Sequence, residues 1–216
     1  MLFLYFYLMK NCPIGIFDSG IGGLTVANSI KSVLPNENII YFGDTKHLPY
    51  GEKSQEQIKN FSKKIISFLV RKKCKIIIIA CNSASSFAKE AVTNVAGKIS
   101  VFNVIDPIIT AISKTCAENN IGVIGTKATI SSGIYEKKIK AICSSANVNS
   151  LATPLLAPMI EERFINEAIS NTIIANYLSD KKLSNINQLI LACTHYPLIQ
   201  EKIAHYYKGN VKIIDS

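Results

Sequence analysis

Short apolar runs alternate with helix-length segments along the chain, and this alternation limits the possible folds more than any other feature. The run Ile76-Ile-Ile-Ile79 has no polar alternation, which is typical of a parallel strand covered on both faces. The predicted strands are 14–17, 39–42, 76–80, 101–105, 121–124, 189–192 and 211–214. The predicted helices are 24–34, 54–72, 85–95, 107–119 and 161–178. This order predicts an α/β protein with parallel sheets built from right-handed crossovers.

The composition supports a packed core and limits the expected partners. Of 216 residues, 48% are hydrophobic and 18% are charged, a balance that excludes intrinsic disorder. Lysine and arginine together number 24 against 15 acidic residues, giving a net charge of +9. Arginine, which is preferred for bidentate phosphate and base contacts, stands only at positions 71 and 163. We therefore interpret the basic charge as compositional bias and expect no nucleic-acid partner.

The N-terminal stretch Met1-Leu-Phe-Leu-Tyr-Phe-Tyr-Leu8 is apolar but too short to span a membrane. It has neither the basic region nor the cleavage site of a signal peptide, so no membrane association is expected. Met9 is the expected translation start, and residues 1–12 are expected to form an N-terminal tail. Six cysteines in a chain of this length, without a secretory leader, predict free thiols in a cytoplasmic protein.

Two sequence segments recur in the same order, which predicts two similar halves. Ile14-Gly-Ile-Phe-Asp-Ser19 is similar to Ile121-Gly-Val-Ile-Gly-Thr126, and Lys75-Ile-Ile-Ile-Ile-Ala-Cys-Asn82 is similar to Asn187-Gln-Leu-Ile-Leu-Ala-Cys-Thr194. The expected first domain is 13–106 plus 211–216, and the expected second domain is 107–210. Chance is the alternative, because apolar strands that end in small residues are common.

Each half ends one buried strand at a cysteine, Cys81 or Cys193, flanked by small hydroxyl and amide side chains. Ligands of open parallel α/β sheets bind beyond the carboxyl ends of the strands, so both cysteines are expected to face a shared cleft. Small polar groups and backbone N–H groups at helix starts suit a carboxylate ligand. A thiol titrates close enough to neutrality to act as a base in one form and an acid in the other. One thiol on each face of a carbon atom would invert its stereochemistry.

Other uses of the cysteines stay open. Free cysteine often only fills buried space, and this interpretation is applied to Cys12, Cys74, Cys116 and Cys143. Zinc binding is a weaker alternative, because Cys193 and His195 have no matching CxxC motif. Nucleophilic Cys–His catalysis is also open, but it leaves Cys81 unexplained.

Five motifs, in order and with matching spacing across residues 13–216, resemble the glutamate racemase family. They are Phe17-Asp-Ser-Gly-Ile-Gly-Gly-Leu-Thr25, Gly43-Asp-Thr45 with Pro49-Tyr-Gly51, Ala80-Cys-Asn-Ser-Ala84, Gly125-Thr126 and Ala192-Cys-Thr-His195. Each motif alone is weak, whereas five in the same order are specific.

The resemblance implies a cofactor-independent racemase, with no pyridoxal phosphate and no metal, that interconverts L- and D-glutamate and supplies D-glutamate for peptidoglycan. It implies two similar α/β domains, related by pseudo-twofold symmetry, with the active site between them. Cys81 would act on the D-enantiomer and Cys193 on the L-enantiomer. Asp18 would support the first cysteine, and Glu161 and His195 the second. The implied substrate-binding residues are Asp18, Ser19, Tyr50, Gly51, Asn82, Ser83, Thr126, Thr194 and His195. A homodimer is left open.

Several of these residues also have a purely structural interpretation. Asp18 could cap the helix that begins near Gly22. The nearby glycines do not have the spacing of a dinucleotide-binding motif, so we interpret them as parts of a tight turn. The segment Tyr50-Gly51 could be an ordinary turn, and Glu161 could be one of the acids that helix starts attract. We interpret His47 and His205 as surface or structural residues.

The sequence departs from the family pattern at Ser83, where threonine is usual, and at Thr153, where cysteine is common. Family members continue beyond the strand that ends at Ile214, so a truncated C-terminal part of the first domain is expected. Two other functions stay open. One is a racemase of another amino acid such as aspartate. The other is a relative that acts only by binding, with a partner such as DNA gyrase, although such a protein needs no second cysteine.

Overall fold

The computed structural model describes residues 11–115, 120–164 and 167–215. Within these ranges the chain forms two units, which divide between Val104 and Ile105. Most of the expected N-terminal tail, residues 1–10, and the expected space-filling Cys116 lie outside the described residues. Among the helices of the described ranges, none has both the length and the apolar composition needed to cross a membrane.

The first unit contains a parallel sheet of four strands in the order β2-β1-β3-β4. The strands are β1 (Ile14–Asp18), β2 (Ile39–Gly43), β3 (Ile76–Ile79) and β4 (Ser100–Asn103). The helices are α1 (Leu24–Val33), α2 (Gln55–Arg71), α3 (Asn82–Phe87) and α4 (Lys89–Ala96), and a 3₁₀ turn covers Tyr50–Glu52. Strand β1 lies between β2 and β3, so its carboxyl end is beside the ends of both neighbours.

The longest helix of the first unit, α2, begins at a capping box. The Ser54 hydroxyl accepts the N–H of Gln57, and the Gln57 side chain accepts the N–H of Ser54. Two N–H groups that lack intrahelical partners are thereby satisfied. Apolar residues at helical spacing, including Ile58, Ile65 and Leu69, are buried on one side of this helix. Burial of this apolar face stabilises the helix against the rest of the unit.

The second unit contains a parallel sheet of four strands in the order β6-β5-β7-β8. The strands are β5 (Asn120–Gly125), β6 (Asn147–Ala152), β7 (Gln188–Ala192) and β8 (Lys212–Ile214). The helices are α5 (Ile105–Ile112), α6 (Lys127–Ser131), α7 (Ile134–Ile142), α8 (Leu156–Glu161), α9 (Glu167–Leu178) and α10 (Gln200–Tyr206), with 3₁₀ turns at Lys181–Leu183 and Tyr196–Ile199. Strand β7 is buried along its whole length, with side chains packed into a separate apolar cluster on each face.

The two sheets have the same strand order, so the predicted α/β class with two similar halves is confirmed. The first strand of each unit, β1 or β5, lies between the second and third strands. Cys81 follows β3 within two residues and Cys193 follows β7 directly, so the cysteines occupy equivalent positions in the two sheets. The sequence repeat therefore reflects a repeat of topology.

The predicted strand at 211–214 exists, but its assignment to the first domain was wrong. Strand β8 pairs with β7, with Leu189 opposite Ile213, and it is the edge strand of the second sheet. The physical reason is its connection: α10 crosses over from β7, and a short crossover of this kind places the next strand beside the previous one. Residues 211–215 are therefore part of the second unit.

Several predicted helices also differ from the structure. The predicted helix 85–95 is two helices, α3 and α4, which meet at Ala88. The predicted helix 161–178 corresponds to the end of α8 and to a separate helix, α9. Residues 116–119 of the predicted helix 107–119 lie outside the described ranges, and α5 ends at Ile112. Strand β6 was missed because Asn147, Asn149 and Ser150 interrupt its apolar pattern.

Candidate active site

Cys81 lies between the buried end of β3 and the first turn of α3, and it is 4% exposed. Its Sγ atom accepts the N–H of Ala84 at 3.4 Å, which makes it the N-cap of the helix. The same thiol donates to the Ser19 hydroxyl at 3.5 Å. The contact arises because β1 and β3 are neighbours and end at the same edge of the sheet. The structure therefore brings Ser19 and Cys81 together as the sequence predicted.

Asp18 is fully buried at the end of β1. Its Oδ2 atom accepts the backbone N–H groups of Gly20 at 3.0 Å and Gly23 at 3.1 Å. A Cβ atom at Gly23 would lie only 2.5 Å from the Cβ of Asp18, so this position requires glycine. Gly23 is the N-cap of α1, which means that Asp18 does help to hold the start of that helix. The turn fixes the carboxylate, and the structural and functional interpretations of Asp18 are compatible.

Tyr50 and Gly51 are buried in the 3₁₀ turn that follows β2. The Tyr50 hydroxyl donates to Oδ2 of Asp44 at 2.6 Å. Burial raises the pKa of Tyr50 far above its ordinary value, and the hydrogen bond to Asp44 adds to this effect. The negative charge of Asp18, and that of Cys81 in its thiolate form, act in the same direction. Tyr50 therefore remains a phenol, able to donate a hydrogen bond, at any physiological pH.

Tyr41 is a residue of this region that sequence reasoning missed. Its hydroxyl donates to the carbonyl oxygen of Gly20 at 2.8 Å, and so holds the turn that contains Asp18 and Ser19. Burial raises the pKa of Tyr41, with the charges of Asp18 and Cys81 adding to it. Asn82 and Ser83 are buried in the first turn of α3. We refer to Asp18, Ser19, Tyr50, Gly51, Cys81, Asn82 and Ser83 as the first cluster.

In the second unit, Cys193 and His195 lie just beyond β7, with 5% and 6% exposure. The Sγ atom of Cys193 is 3.6 Å from Nδ1 of His195, and Nε2 of His195 is 2.9 Å from Oε1 of Glu161. A thiol, an imidazole and a carboxylate thus form a continuous hydrogen-bonded series. Glu161 is the last residue of α8, so its interpretation as an acid at a helix start was wrong.

His195 has a strongly perturbed pKa. Burial disfavours the imidazolium, but hydrogen bonds to Cys193 and Glu161, together with the negative charges of both groups, more than offset this cost. The result is that the pKa of His195 is raised from 6.5 to about 10. A protonated His195 can donate one N–H to the sulfur and the other to the carboxylate.

Thr126 lies at the end of β5 and caps α6. Its hydroxyl oxygen accepts the N–H of Thr129 at 3.2 Å, and the two threonine hydroxyls are 3.1 Å apart. Thr194 is buried next to Cys193. We refer to Thr126, Glu161, Cys193, Thr194 and His195 as the second cluster. Each cluster contains one of the two cysteines singled out from the sequence, and the assignment of the other residues to a substrate stays a prediction.

Sequence reasoning also missed a pair of residues, Thr153 and Tyr196, that supports the second cluster. The hydroxyls of Thr153 and Tyr196 are 2.7 Å apart, and the Thr153 hydroxyl also donates to the carbonyl oxygen of Gly125 at 3.3 Å. Both residues are fully buried. The ends of β5, β6 and β7 are thereby linked, which holds the turn containing Cys193 and His195. His47, interpreted as surface or structural, is half-buried and bonded to Asp44.

Each cluster can take up or release a proton at sulfur. Within the described residues, no group of three or more His, Cys, Asp or Glu side chains is arranged to hold a metal ion. The zinc alternative therefore has no ligand set in that part of the chain. Among the described residues, the five cysteines form no disulfide with one another. The expectation that no cofactor is needed stays a prediction.

Comparison with known proteins places this chain in a family. The sequence model of the Asp/Glu/Hydantoin racemase family matches residues 23–216. The chain is 43% identical over 209 residues to glutamate racemase 3 of Caldanaerobacter subterraneus, covering 96% of this chain and 75% of that protein. It is 41% identical over 208 residues to the glutamate racemase of Streptococcus equi subsp. equi, covering 96% and 78%.

Solved structures agree with the sequence relatives. The glutamate racemase of Francisella tularensis, solved in complex with D-glutamate, matches with a TM-score of 0.89 and 44% identity, over 95% of this chain and 76% of that one. A glutamate racemase isoform from Bacillus anthracis matches with a TM-score of 0.90 and 38% identity, over 95% and 77%. The aspartate racemase of Picrophilus torridus, at 20% identity and a TM-score of 0.65 over 94% and 88%, shares the fold. The chain belongs to the Asp/Glu/Hydantoin racemase family.

Proposed function

We propose that this chain is a glutamate racemase, which interconverts L- and D-glutamate by proton transfer at two cysteines and without a cofactor. The observation that carries the proposal is one buried thiol at the equivalent strand end of each sheet, in a chain 44% identical to a racemase solved with D-glutamate. A protein that only binds its ligand has no use for the second thiol. The proposal assigns Cys81 and Cys193 to opposite faces of the substrate α-carbon.

The proposed reaction from L-glutamate begins at Cys193. Its thiolate takes the α-proton, so that the Cα–H bond breaks and an S–H bond forms, leaving a carbanion stabilised by its carboxylate. The Cys81 thiol then delivers its proton to the opposite face, which gives D-glutamate and a Cys81 thiolate. Conversion of D-glutamate uses the same steps in reverse. Because no cofactor delocalises the carbanion in this scheme, stabilisation must come from preorganised hydrogen-bond donors.

The two cysteines have different supporting groups, and this difference fits separate roles. His195, whose pKa is raised to about 10, can donate Nδ1–H to the Cys193 thiolate while Glu161 orients the ring. Cys81 instead contacts the Ser19 hydroxyl beside the buried Asp18. In the proposal, His195 and Glu161 support proton transfer between Cys193 and the α-carbon of L-glutamate. Asp18 supports proton transfer between Cys81 and the α-carbon of D-glutamate.

Most residues of both clusters, including Asp18 and His195, are also proposed to bind the substrate. Small hydroxyl and amide groups, together with backbone N–H groups at helix starts, can donate hydrogen bonds to the carboxylates of glutamate. The proposed binding residues are Asp18, Ser19, Tyr50, Gly51, Asn82, Ser83, Thr126, Thr194 and His195. The peptidoglycan role of D-glutamate, a cytoplasmic location and a homodimer are parts of the same proposal. A reducing compartment fits a mechanism that needs both sulfurs as thiols.

Aspartate is the alternative substrate, and the comparisons support it less than they support glutamate. The aspartate racemase relatives are 19–20% identical to this chain, which is evidence for a common fold only. The glutamate racemases reach 41–44% identity over almost the whole chain.

A direct experiment separates these possibilities. Purified protein is incubated with L-glutamate or L-aspartate, without added cofactor, and the enantiomers are separated on a chiral column. The proposal predicts D-glutamate at a rate far above that of D-aspartate. D-aspartate alone would keep the mechanism and change the substrate. A folded protein that produces neither enantiomer would contradict the proposal.

A further inference from the structure

The Asp44 carboxylate forms hydrogen bonds with two side chains of its own loop. It follows β2 directly and is buried, with 7% exposure. The Nδ1 atom of His47 lies 2.8 Å from Oδ1 and 2.9 Å from Oδ2 of Asp44, and the Tyr50 hydroxyl donates to Oδ2 at 2.6 Å. A single carboxylate therefore joins His47 to Tyr50. The segment from residue 44 to residue 50 is closed on itself by these bonds.

The imidazole ring of His47 also packs face to face against an aromatic ring. It stacks on the ring of Phe61 from α2, with centroids 4.1 Å apart and planes inclined by 15°. The Tyr50 ring lies 5.8 Å from the same phenyl ring. Stacking fixes the plane of the imidazole, and the hydrogen bond to Asp44 fixes its direction within that plane. The rigid helix α2 thus supports the position of the loop.

The same loop is tied to the first cluster by its backbone. The N–H of Asp44 donates to the carbonyl oxygen of Asp18 at 3.0 Å. Asp44 therefore connects the end of β1 with the turn containing Tyr50 and Gly51. Both of these segments are assigned to the substrate in the proposed function.

We propose that His47 is a positioning residue, which acts through Asp44 to hold Tyr50 and Gly51 where they bind the substrate. This inference rests on the proposed function, because that function assigns the turn to substrate binding. Without the imidazole, the buried Asp44 carboxylate loses one of its donors and must rotate or admit water to replace it. Either change displaces the acceptor of the Tyr50 hydroxyl.

The inference predicts a specific kinetic effect. In the proposed mechanism His47, Asp44 and Tyr50 carry no transferred proton, so loss of the imidazole affects binding more than chemistry. His47→Ala is expected to raise KM for L-glutamate about tenfold, since the loss of a hydrogen bond to a charged group has this size. The kcat is expected to stay within about threefold of the parent value.

The experiment compares His47→Ala with two matched variants. His47→Gln keeps an N–H donor for Asp44 and is expected to recover most of the parent KM. Lys46→Ala, which changes an exposed neighbour on the same loop, is expected to leave both kinetic constants at parent values. Urea unfolding of each variant shows whether the protein is folded.

A double-mutant cycle tests whether His47 acts through Tyr50. Tyr50→Phe removes the hydroxyl donor and keeps the ring, and it is expected to raise KM by itself. If His47 acts through this hydroxyl, His47→Ala adds little further increase in the Tyr50→Phe protein. This cycle uses KM ratios between folded variants. If the alanine variant does not fold, His47→Leu, which also lacks a donor for Asp44 but keeps more apolar contact with Phe61, replaces it in the cycle.

The possible results separate this inference from the proposed function. A parent protein that does not racemise glutamate would contradict the proposed function. If the parent racemises glutamate and folded His47→Ala has the parent KM, the role of His47 alone is contradicted. Fully additive effects of His47→Ala and Tyr50→Phe would contradict it as well.

Discussion

The imidazole of His195 bridges Glu161, 2.9 Å away at Nε2, and Cys193, 3.6 Å away at Nδ1. Glu161 ends α8, whereas the other two residues follow β7, so the bridge joins two separate elements of the second unit. The carboxylate favours a protonated ring, and the ring then has an N–H directed at the sulfur.

Replacement of Glu161 by glutamine is expected to lower kcat/KM. The amide keeps the size of the side chain but removes the negative charge that helps to raise the pKa of His195. Because L- and D-glutamate are equally stable, kcat/KM must fall by the same factor in both directions, which we expect to be about 10²-fold. Initial rates from each enantiomer measure it. Glu162→Gln, at the exposed neighbouring position, is the control and should match the parent.

His195 is expected to make folding stability depend on pH in a defined direction. Its folded pKa, about 10, lies above the unfolded value of 6.5. Its contribution is therefore fully present below pH 6.5 and is lost as the pH rises through 10. The difference in the free energy of unfolding between the parent and His195→Gln should be largest at and below pH 6.5 and should shrink as the pH rises towards 10.

Urea unfolding at several pH values measures this difference. His205→Gln, at an exposed position of α10, is the matched control. A parent–variant difference for His195 that grows between pH 6.5 and pH 10 would contradict the assigned direction.

Both cysteines are expected to be indispensable. Cys81→Ser and Cys193→Ser should each reduce racemisation in both directions by about 10³-fold or more, because the two thiols act as a unit. Cys143→Ser, outside both clusters, should retain the parent rate. Substantial turnover by either of the first two variants, measured on a chiral column, would remove that cysteine from the mechanism. Glutamate should also protect both thiols against alkylation.

The hydroxyl of Tyr196 is expected to stabilise the second unit. Tyr196→Phe removes the hydrogen bond to Thr153 and leaves a buried polar group with fewer partners, at a cost of about 1–3 kcal/mol. Tyr206→Phe, on a partly exposed side chain, should change stability by less than about 0.5 kcal/mol. Urea unfolding curves give both values. Equal stability of the two variants would show that the buried hydroxyl contributes little.

The sequence was most informative about residues at strand ends. Ser19 and Cys81 could be placed together because their strands run parallel and adjacent, so that their carboxyl ends meet at one edge. The same rule placed Cys193 and Thr126 at the edge of the second sheet. Continuous apolar runs made these strands easy to recognise. Topology alone therefore brings together much of each cluster.

Other features depend on contacts that no local pattern contains. The Asp44 carboxylate joins His47 to Tyr50 across a loop, and the Thr153 hydroxyl meets Tyr196 from a different strand. Such bonds follow from the path of the backbone, which the residue types do not determine by themselves. Strand β6 lies at a sheet edge and has a polar pattern, so it was missed. The wrong placement of residues 211–216 came from an expected return to the first domain, whereas the short crossover determines the actual pairing of β8.

The most direct test of the central claim, that separate thiols serve the two faces of the α-carbon, is isotope incorporation in D₂O. Protonated L-glutamate is converted to low extent, and the α-deuterium content of each enantiomer is measured by mass spectrometry after chiral separation. The account predicts deuterium in essentially all D-glutamate formed and the original α-proton in the remaining L-glutamate. Equal deuterium content in both enantiomers, or retention of the proton in the product, would mean that one group serves both faces and would contradict the account.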